Sequence, residues 1–364
     1  MTIDKIIWII IWLSLLILCA IILGLIVARK KNKINNPIEM KNDYKSVDYV
    51  PPTPISDKWE HRLVDYYIAS SYNSCWVGDN YVSIEPLAII MRHGARVLDF
   101  AIYSVGGTAV VAAGEDNTTT YTDTWNNLPI DKVLFAVSKG YVGTDPLFLH
   151  FRIKSARQDI YPILAESIIS NLGSKLLDIR WGYGGGGNTD IETSRKLVNE
   201  KLSSLMNKVI IMATWDGVEK GQNFKTPDNS FYELVNLCSS PENPTHDLVD
   251  VPMFQQKRLA TVGATVGDNS QIEINNNKNN ITLVVPSWDL MDDNLDASGI
   301  RASGSQMICM NYKNPSNSKM NDYINFFKKN SFKLKPCILR AKKTTINVPK
   351  CKSRLSIDKI NALG

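Results

Sequence analysis

Histidine is the scarcest acid–base group in this 364-residue chain, which holds only His61, His93, His150 and His246. An imidazole titrates near neutral pH, so one placed beside a carboxylate can take up and release a proton during a reaction. His150 stands in the apolar run 147–153, LFLHFRI, whose alternation puts His150 and Arg152 on one face. The same period in 96–102, RVLDFAI, puts Asp99 and Ala101 on one face. A histidine beside a carboxylate has two readings, a working acid–base pair or a satisfied pair in a core. His61 precedes the first strand-like run and His93 falls at a helix-to-strand turn, so both read as structural. His246, in Asn243-Pro244-Thr245-His246-Asp247, sits in a loop with no evident partner. The glycine-rich 182–188 stretch lacks the Lys-Ser/Thr of a phosphate loop and reads as a loop at the rim of the fold. Cys75, Cys238, Cys309, Cys337 and Cys351 show no metal-type spacing. Five cannot all pair, which indicates a reducing compartment.

Apolar β-rich runs carry these residues: 66–70, 96–102, 147–153, 209–214, 281–285, 306–312 and 333–338. Between them, 84–93, 160–172 and 193–206 have apolar spacing near the helical period. Buried strands alternating with amphipathic helices predict an α/β domain with a mostly parallel sheet. The Asn-, Asp-, Gly- and Ser-rich stretch 219–280 predicts long loops.

Ahead of this body lies an uncharged run, Ile6 to Ala28, which includes Trp8 and Trp12. As a helix it spans about 34 Å, enough to cross a bilayer core of about 30 Å. It ends in Arg29, Lys30, Lys31 and Lys33, against Lys5 alone before it, and the positive-inside rule places the C-terminal body in the cytosol. Residues 35–57 are polar and carry Pro37 and the Pro51-Pro52-Thr53-Pro54 run, which reads as an extended tether. The net charge is +5, yet residues 34–327 carry −9, so the ends are basic and the body acidic. No broad basic face for nucleic acid is expected. The basic tail, with Lys342, Lys343, Lys350, Lys352 and Arg354, suits an anionic lipid surface or an acidic protein.

Three stretches read together resemble the catalytic domain of phosphoinositide-specific phospholipase C, a distorted TIM barrel made of X and Y halves. Tyr67-Ile68-Ala69-Ser70-Ser71-Tyr72-Asn73-Ser74 is similar to the family's strand ending S-S-H-N-T, and the stretch from His93 to Ala101 resembles its G-x-R-x-L-E-L-D strand. Asp145-Pro146-Leu147-Phe148-Leu149-His150-Phe151-Arg152 is similar to P-V-I-L-S-L-E. The stretch from Gly304 to Tyr312, followed by Phe332 to Arg340, matches the Y-half pattern G-C-Q-x-V-A-L-N-[FY] … G-Y-x-L-K-P-x-x-L-R. The resemblance implies a distorted TIM (β/α)8-type barrel of the phospholipase C-like phosphodiesterase kind, preceded by a single transmembrane helix. The chain then divides into an anchor (1–28), a basic stop and tether (29–57), an X-like half (58–218), a loop-rich connector (219–280), a Y-like half (281–341) and a basic tail (342–364).

Carried over position by position, the resemblance implies a site altered throughout. The family's first catalytic histidine falls on Tyr72 and its second on Glu115. Of the calcium ligands, Asn73 is kept and Asp99 replaces a glutamate, but the other two fall on Ala101 and Arg152. The phosphate-binding lysines fall on Met212 and Thr214, and the headgroup-facing Arg and Tyr of the Y half on Leu283 and Val285. The expectation is therefore a degenerate phospholipase C-like barrel that needs no cofactor, with calcium binding doubtful, acting as a binding or structural protein at a membrane. Arg152 is expected to stand where the family holds calcium and to pair with Asp99 or Glu115, the mouth being filled by Tyr72, Trp288 and Arg152. The alternative is an active phosphodiesterase on inositol phospholipids with a calcium-independent site rebuilt from His150, Asp99 and Glu115. Abundant Asn, Lys and Ile point to an AT-rich genome, as in some protists and large DNA viruses. A viral source would make the chain a component of an internal virion membrane, with a capsid or another membrane protein as partner.

Overall fold

Alternate residues along each strand serve two different cores, and that division builds the domain. The computed structural model describes residues 3–51, 59–78, 80–114, 120–155, 157, 159–178, 181–182, 197–215, 230–239, 253–259, 270–286, 293–313 and 315–341. Eight strands form the barrel: β1 (Tyr66–Ser71), β2 (Val97–Val105), β3 (Leu147–Ile153) and β4 (Val209–Trp215), then β5 (Leu237–Ser239), β6 (Met253–Leu259), β7 (Thr282–Pro286) and β8 (Met307–Met310). Each pairs in parallel with the next, and β1 closes the ring, with Ser70 opposite Val97 of β2 and opposite Cys309 of β8. Inside the ring, Ile68, Val97, Phe148, Ile210, Met212 and Leu283 belong to one buried apolar cluster. Their neighbours Leu98, Phe100, Leu149, Phe151, Ile211 and Val284 point outward and pack under the helices.

Among the described residues the helices with both ends defined are α1 (Ile3–Asp43), α2 (Glu85–Arg92), α3 (Ile130–Gly140), α4 (Ile160–Leu172), α5 (Ser230–Leu234), α6 (Ser270–Asn277), α7 (Ala297–Ala302) and α8 (Ser318–Phe327). Val133, Leu134 and Val137 of α3 and Leu164 and Ile168 of α4 bury the helical stripe that the sequence period requires. Asn317 caps α8 by accepting from the backbone N–H groups of Lys319 and Met320. At the N-terminal ends of the strands, the buried Arg96 guanidinium donates to Asp145 at 2.8 Å and to the Met91 and Ala95 carbonyls.

Four expectations need correction. Residues 219–280 are not only loops: they contribute β5 and β6, without which the ring could not close. Both strands are short or polar, so no apolar run announces them. The predicted strand 333–338 is Phe332–Leu334 alone, antiparallel to β1 and outside the ring, followed by a single helical turn at Cys337–Leu339. Of the predicted helix 193–206, residues 197–199 are helical but the helix stops there and 202–205 form a 3-10 turn, while 193–196 lie outside the described residues.

The largest difference concerns α1. It is long and apolar enough to cross a membrane, its most apolar window having a mean hydropathy of 3.1 with 0% of it buried against the protein. The helix does not stop at Ala28, however, and residues 35–51 do not form the extended tether predicted for 35–57, while 52–57 lie outside the described residues. The helix runs on through Pro37 to Asp43, and Met40, Tyr44 and Val50 are buried against the barrel. Pro37 removes one intrahelical hydrogen bond, but Met40 is buried and Asn35, Asn36 and Pro37 are half-buried, and this tertiary packing sustains a helix where composition alone suggests coil.

Candidate functional site

The site assembles where β2 and β3 lie side by side. Register pairs Asp99 with His150 and Ala101 with Arg152, and across the next interface His150 with Met212 and Arg152 with Thr214. All of these face into the barrel, because their strand neighbours Phe100 and Phe151 face out.

Asp99 is the centre. Its carboxylate accepts from Arg152 Nε at 2.9 Å and Nη2 at 3.0 Å, and from the Asn73 backbone N–H at 3.0 Å. His150 Nδ1 lies 2.8 Å from the same carboxylate, and His150 Nε2 lies 2.8 Å from Thr214 Oγ1. Arg152 also donates to the Asn73 side-chain oxygen, and its guanidinium carbon sits 4.8 Å from the centre of the Tyr72 ring. The whole group is buried, with Asp99 and His150 0% exposed, Arg152 1%, Tyr72 4%, Thr214 5% and Asn73 6%.

Local structure explains how Asn73 reaches this group. Its backbone has φ 43°, the left-handed region that asparagine tolerates better than most residues. The turn is stapled to β2 in both directions, Ser74 N–H donating to the Asp99 carbonyl and Asp99 N–H to Ser74 Oγ. Burial raises the Asp99 carboxyl, but the Arg152 guanidinium and the His150 imidazole outweigh it and hold the group well below the ordinary carboxylate range. Cys309, facing the lumen from β8, has its thiol pushed well up by burial and by the Asp99 charge, so it is no nucleophile at neutral pH.

The ion pair expected between Arg152 and Asp99 is present. Met212, Leu283 and Val285, where the resemblance puts phosphate and headgroup contacts, are each 0% exposed and lie in one apolar cluster with Phe148 and Met307. Ala101 packs with Tyr103 and Val110. Glu115, Trp288, His246, the 183–188 glycines and the tail 342–364 lie outside the described residues. The His93 ring packs against Tyr44 at a tilt of 37°, centroids 4.9 Å apart, with Nδ1 3.0 Å from the Asp48 carbonyl. His61 is exposed and lies 3.3 Å from an Arg340 nitrogen. Sequence reasoning missed Thr214 as the partner of His150 and Cys309 as a lumen residue. Strand alternation carried a signal for both, since each falls on the inward face of its run.

No family model matches this sequence, and no curated protein sequence matches it. Solved structures do match in fold. Residues covering 78% of this chain superpose on 38% of L. pealei PLC21 with a TM-score of 0.60 at 16% identity. S. officinalis PLC21 gives 0.57 at 17% identity, again over 78% of this chain and 38% of that one. The calcium-dependent phosphoinositol-specific phospholipase C of the Gram-negative Pseudomonas sp gives 0.50 at 12% identity, covering 75% of this chain and 96% of that one. The chain thus has the phospholipase C-like barrel fold, while matching about two fifths of the length of the two PLC21 chains.

Proposed function

We propose that the protein is a membrane-anchored phospholipase C-like barrel that has given up catalysis and serves as a binding or structural element at a membrane. One observation carries this reading: the Arg152 guanidinium lies among Asp99, Asn73 and Tyr72, with the whole group buried. Calcium is bound by several hard oxygens around an open position. Here the carboxylate of Asp99 and the amide oxygen of Asn73 already accept from a permanent cation, so these residues do not fit the ion. A buried carboxylate needs a compensating charge, and Arg152 supplies it without a metal.

The second reading, a rebuilt phosphodiesterase, draws support from the 2.8 Å approach of His150 Nδ1 to Asp99. Against it, both groups are 0% exposed, and His150 Nε2 lies within hydrogen-bond distance of Thr214. A general base must reach the proton it takes. The cytosolic placement of the body, which rests on Arg29 to Lys33, belongs to the same proposal.

The full chain in vesicles containing phosphatidylinositol and its 4,5-bisphosphate tests these readings. Release of water-soluble inositol phosphates is followed with calcium and with chelator, beside an active phospholipase C. The expected result is no release in either condition. Calcium-independent release that disappears in His150→Gln or Glu115→Gln would establish the rebuilt site and overturn the degenerate reading.

A further inference from the structure

The segment that follows the apolar span is fastened to the barrel at three levels, and their order gives the barrel a direction. Nearest the apolar span, the Arg29 carbonyl accepts from the Tyr81 hydroxyl at 2.8 Å, and the Arg29 guanidinium lies 3.5 Å from the centre of the Trp125 ring. Lower on the helix, Asn36 presses on Gly78, where an added Cβ would stand 2.0 Å from the Asn36 side-chain nitrogen. Beyond the helix, Val50 N–H donates to the Arg92 carbonyl, and the Asp48 carbonyl meets His93.

These contacts lie at opposite ends of the barrel. Gly78 and Tyr81 belong to the connection that leaves the C-terminal end of β1 for α2. Trp125 is tied to that connection by its backbone N–H, which donates to the Asn80 carbonyl at 2.8 Å. Arg92 and His93 lie instead where α2 turns into the N-terminal end of β2. The chain from Val50 back to Arg29 therefore runs from the N-terminal toward the C-terminal face. Tyr44, just below the helix, already donates to the Tyr312 carbonyl past the C-terminal end of β8, and residues 43 to 29 carry on in that direction over about 21 Å of helix. The helix is continuous from Ile3 to Asp43, so the apolar span continues past that rim in the same direction. No spacer intervenes, because Ala28, the last apolar residue, adjoins Arg29.

We infer that α1 is a rigid strut that holds the C-terminal rim of the barrel, with Tyr81 and Trp125, against the anionic headgroup layer of the bilayer it crosses. This rests on the membrane-anchored reading above. The rim has the right chemistry: Trp125 is 55% exposed, and tryptophan favours the headgroup level. Lys30, Lys31 and Lys33 are exposed on the turn beside it, where they meet negative lipid. With the lumen filled by Arg152 and Asp99, this rim would present a lipid-facing surface rather than a catalytic mouth.

The test uses the full chain with Cys19, Cys337 and Cys351 changed to serine, in vesicles of phosphatidylcholine and phosphatidylserine carrying a headgroup-linked energy acceptor. A donor dye is placed at Thr122→Cys, in the rim segment, or at Val142→Cys, 75% exposed in the connection that enters the N-terminal end of β3. Transfer should be several-fold stronger from Thr122→Cys. Carbonate extraction is run first. Chain released by carbonate would overturn the anchored reading and this inference with it, whereas retained chain with equal or stronger transfer from Val142→Cys would overturn the inference alone. In Gly78→Val, displacing Asn36 should leave the chain in the membrane but shrink the contrast between the two dyes. A contrast unchanged in a folded Gly78→Val chain would show that α1 is not the strut.

Discussion

A carboxylate sealed inside a barrel must be protonated or be matched by a cation, and Asp99 is matched. Removing one member of such a pair leaves an uncompensated buried charge, at a cost of about 3–5 kcal/mol. Arg152→Met should therefore lower the Tm sharply, and adding Asp99→Leu should restore most of the loss; thermal unfolding of the three chains checks this. The Asp99 carboxyl is depressed below its ordinary 3.8, so its contribution is complete above that value and is lost as pH falls toward the folded-state value. Lys335 behaves in the opposite sense. It is 1% exposed, its amine donates to the Asn277 carbonyl at 2.9 Å, and burial lowers its pKa from 10.5 to about 7. Above about pH 7 the folded chain binds fewer protons at this site than the unfolded chain, so stability rises with pH toward 10.5. The slope should approach about 1.4 kcal/mol per pH unit, and Lys335→Met should lack this component in denaturant titrations at pH 7 and 8.5. Both effects come from residues whose types are plain in the sequence. Their burial is not, because the strand predicted over 333–338 ends at Leu334, and beyond it alternation no longer assigns Lys335 a face.

Among the elements, the strands with apolar runs were legible: 147–153 is predicted and found with the same limits, as is helix 160–172. Those strands are buried on both faces, which makes their sequences nearly continuous in apolar residues. Leu237–Ser239 is too short to show a period, and Met253–Leu259 contains Gln255, Gln256, Lys257 and Arg258, so both read as loop. The lower half of α1 misled for a related reason. Its polar composition and Pro37 suggest coil, while the partner that holds it as helix is supplied by distant residues such as Gly78 and Tyr312, whose carbonyl accepts from the Tyr44 hydroxyl. Met40→Asp puts a charge at a site 2% exposed. It should detach residues 29–51 from the barrel at a cost of about 2–5 kcal/mol. Limited proteolysis should then cut this segment first while barrel circular dichroism persists; equal resistance to wild type would contradict the docking.

For the molecule as a whole, the chain's own order of residues was sufficient for an apolar span followed by positive charge, an acidic body, and an α/β barrel of the phospholipase C-like fold. Those properties are local: a span needs only length and hydropathy, and a strand or helix needs only its period. The partners of Asp99 were half legible, since alternation places Asp99 and Arg152 on inward faces but does not say which strands are neighbours. Closing the ring through β1 settled that, by bringing Asn73, Asp99, His150, Arg152 and Thr214 from four separate segments into one buried group. The direction of the barrel relative to α1 was invisible in the sequence, because it depends on contacts between residues about fifty to a hundred positions apart, such as Arg29 with Tyr81 and with Trp125. Such pairings have no period and no motif; they exist only once the chain has packed.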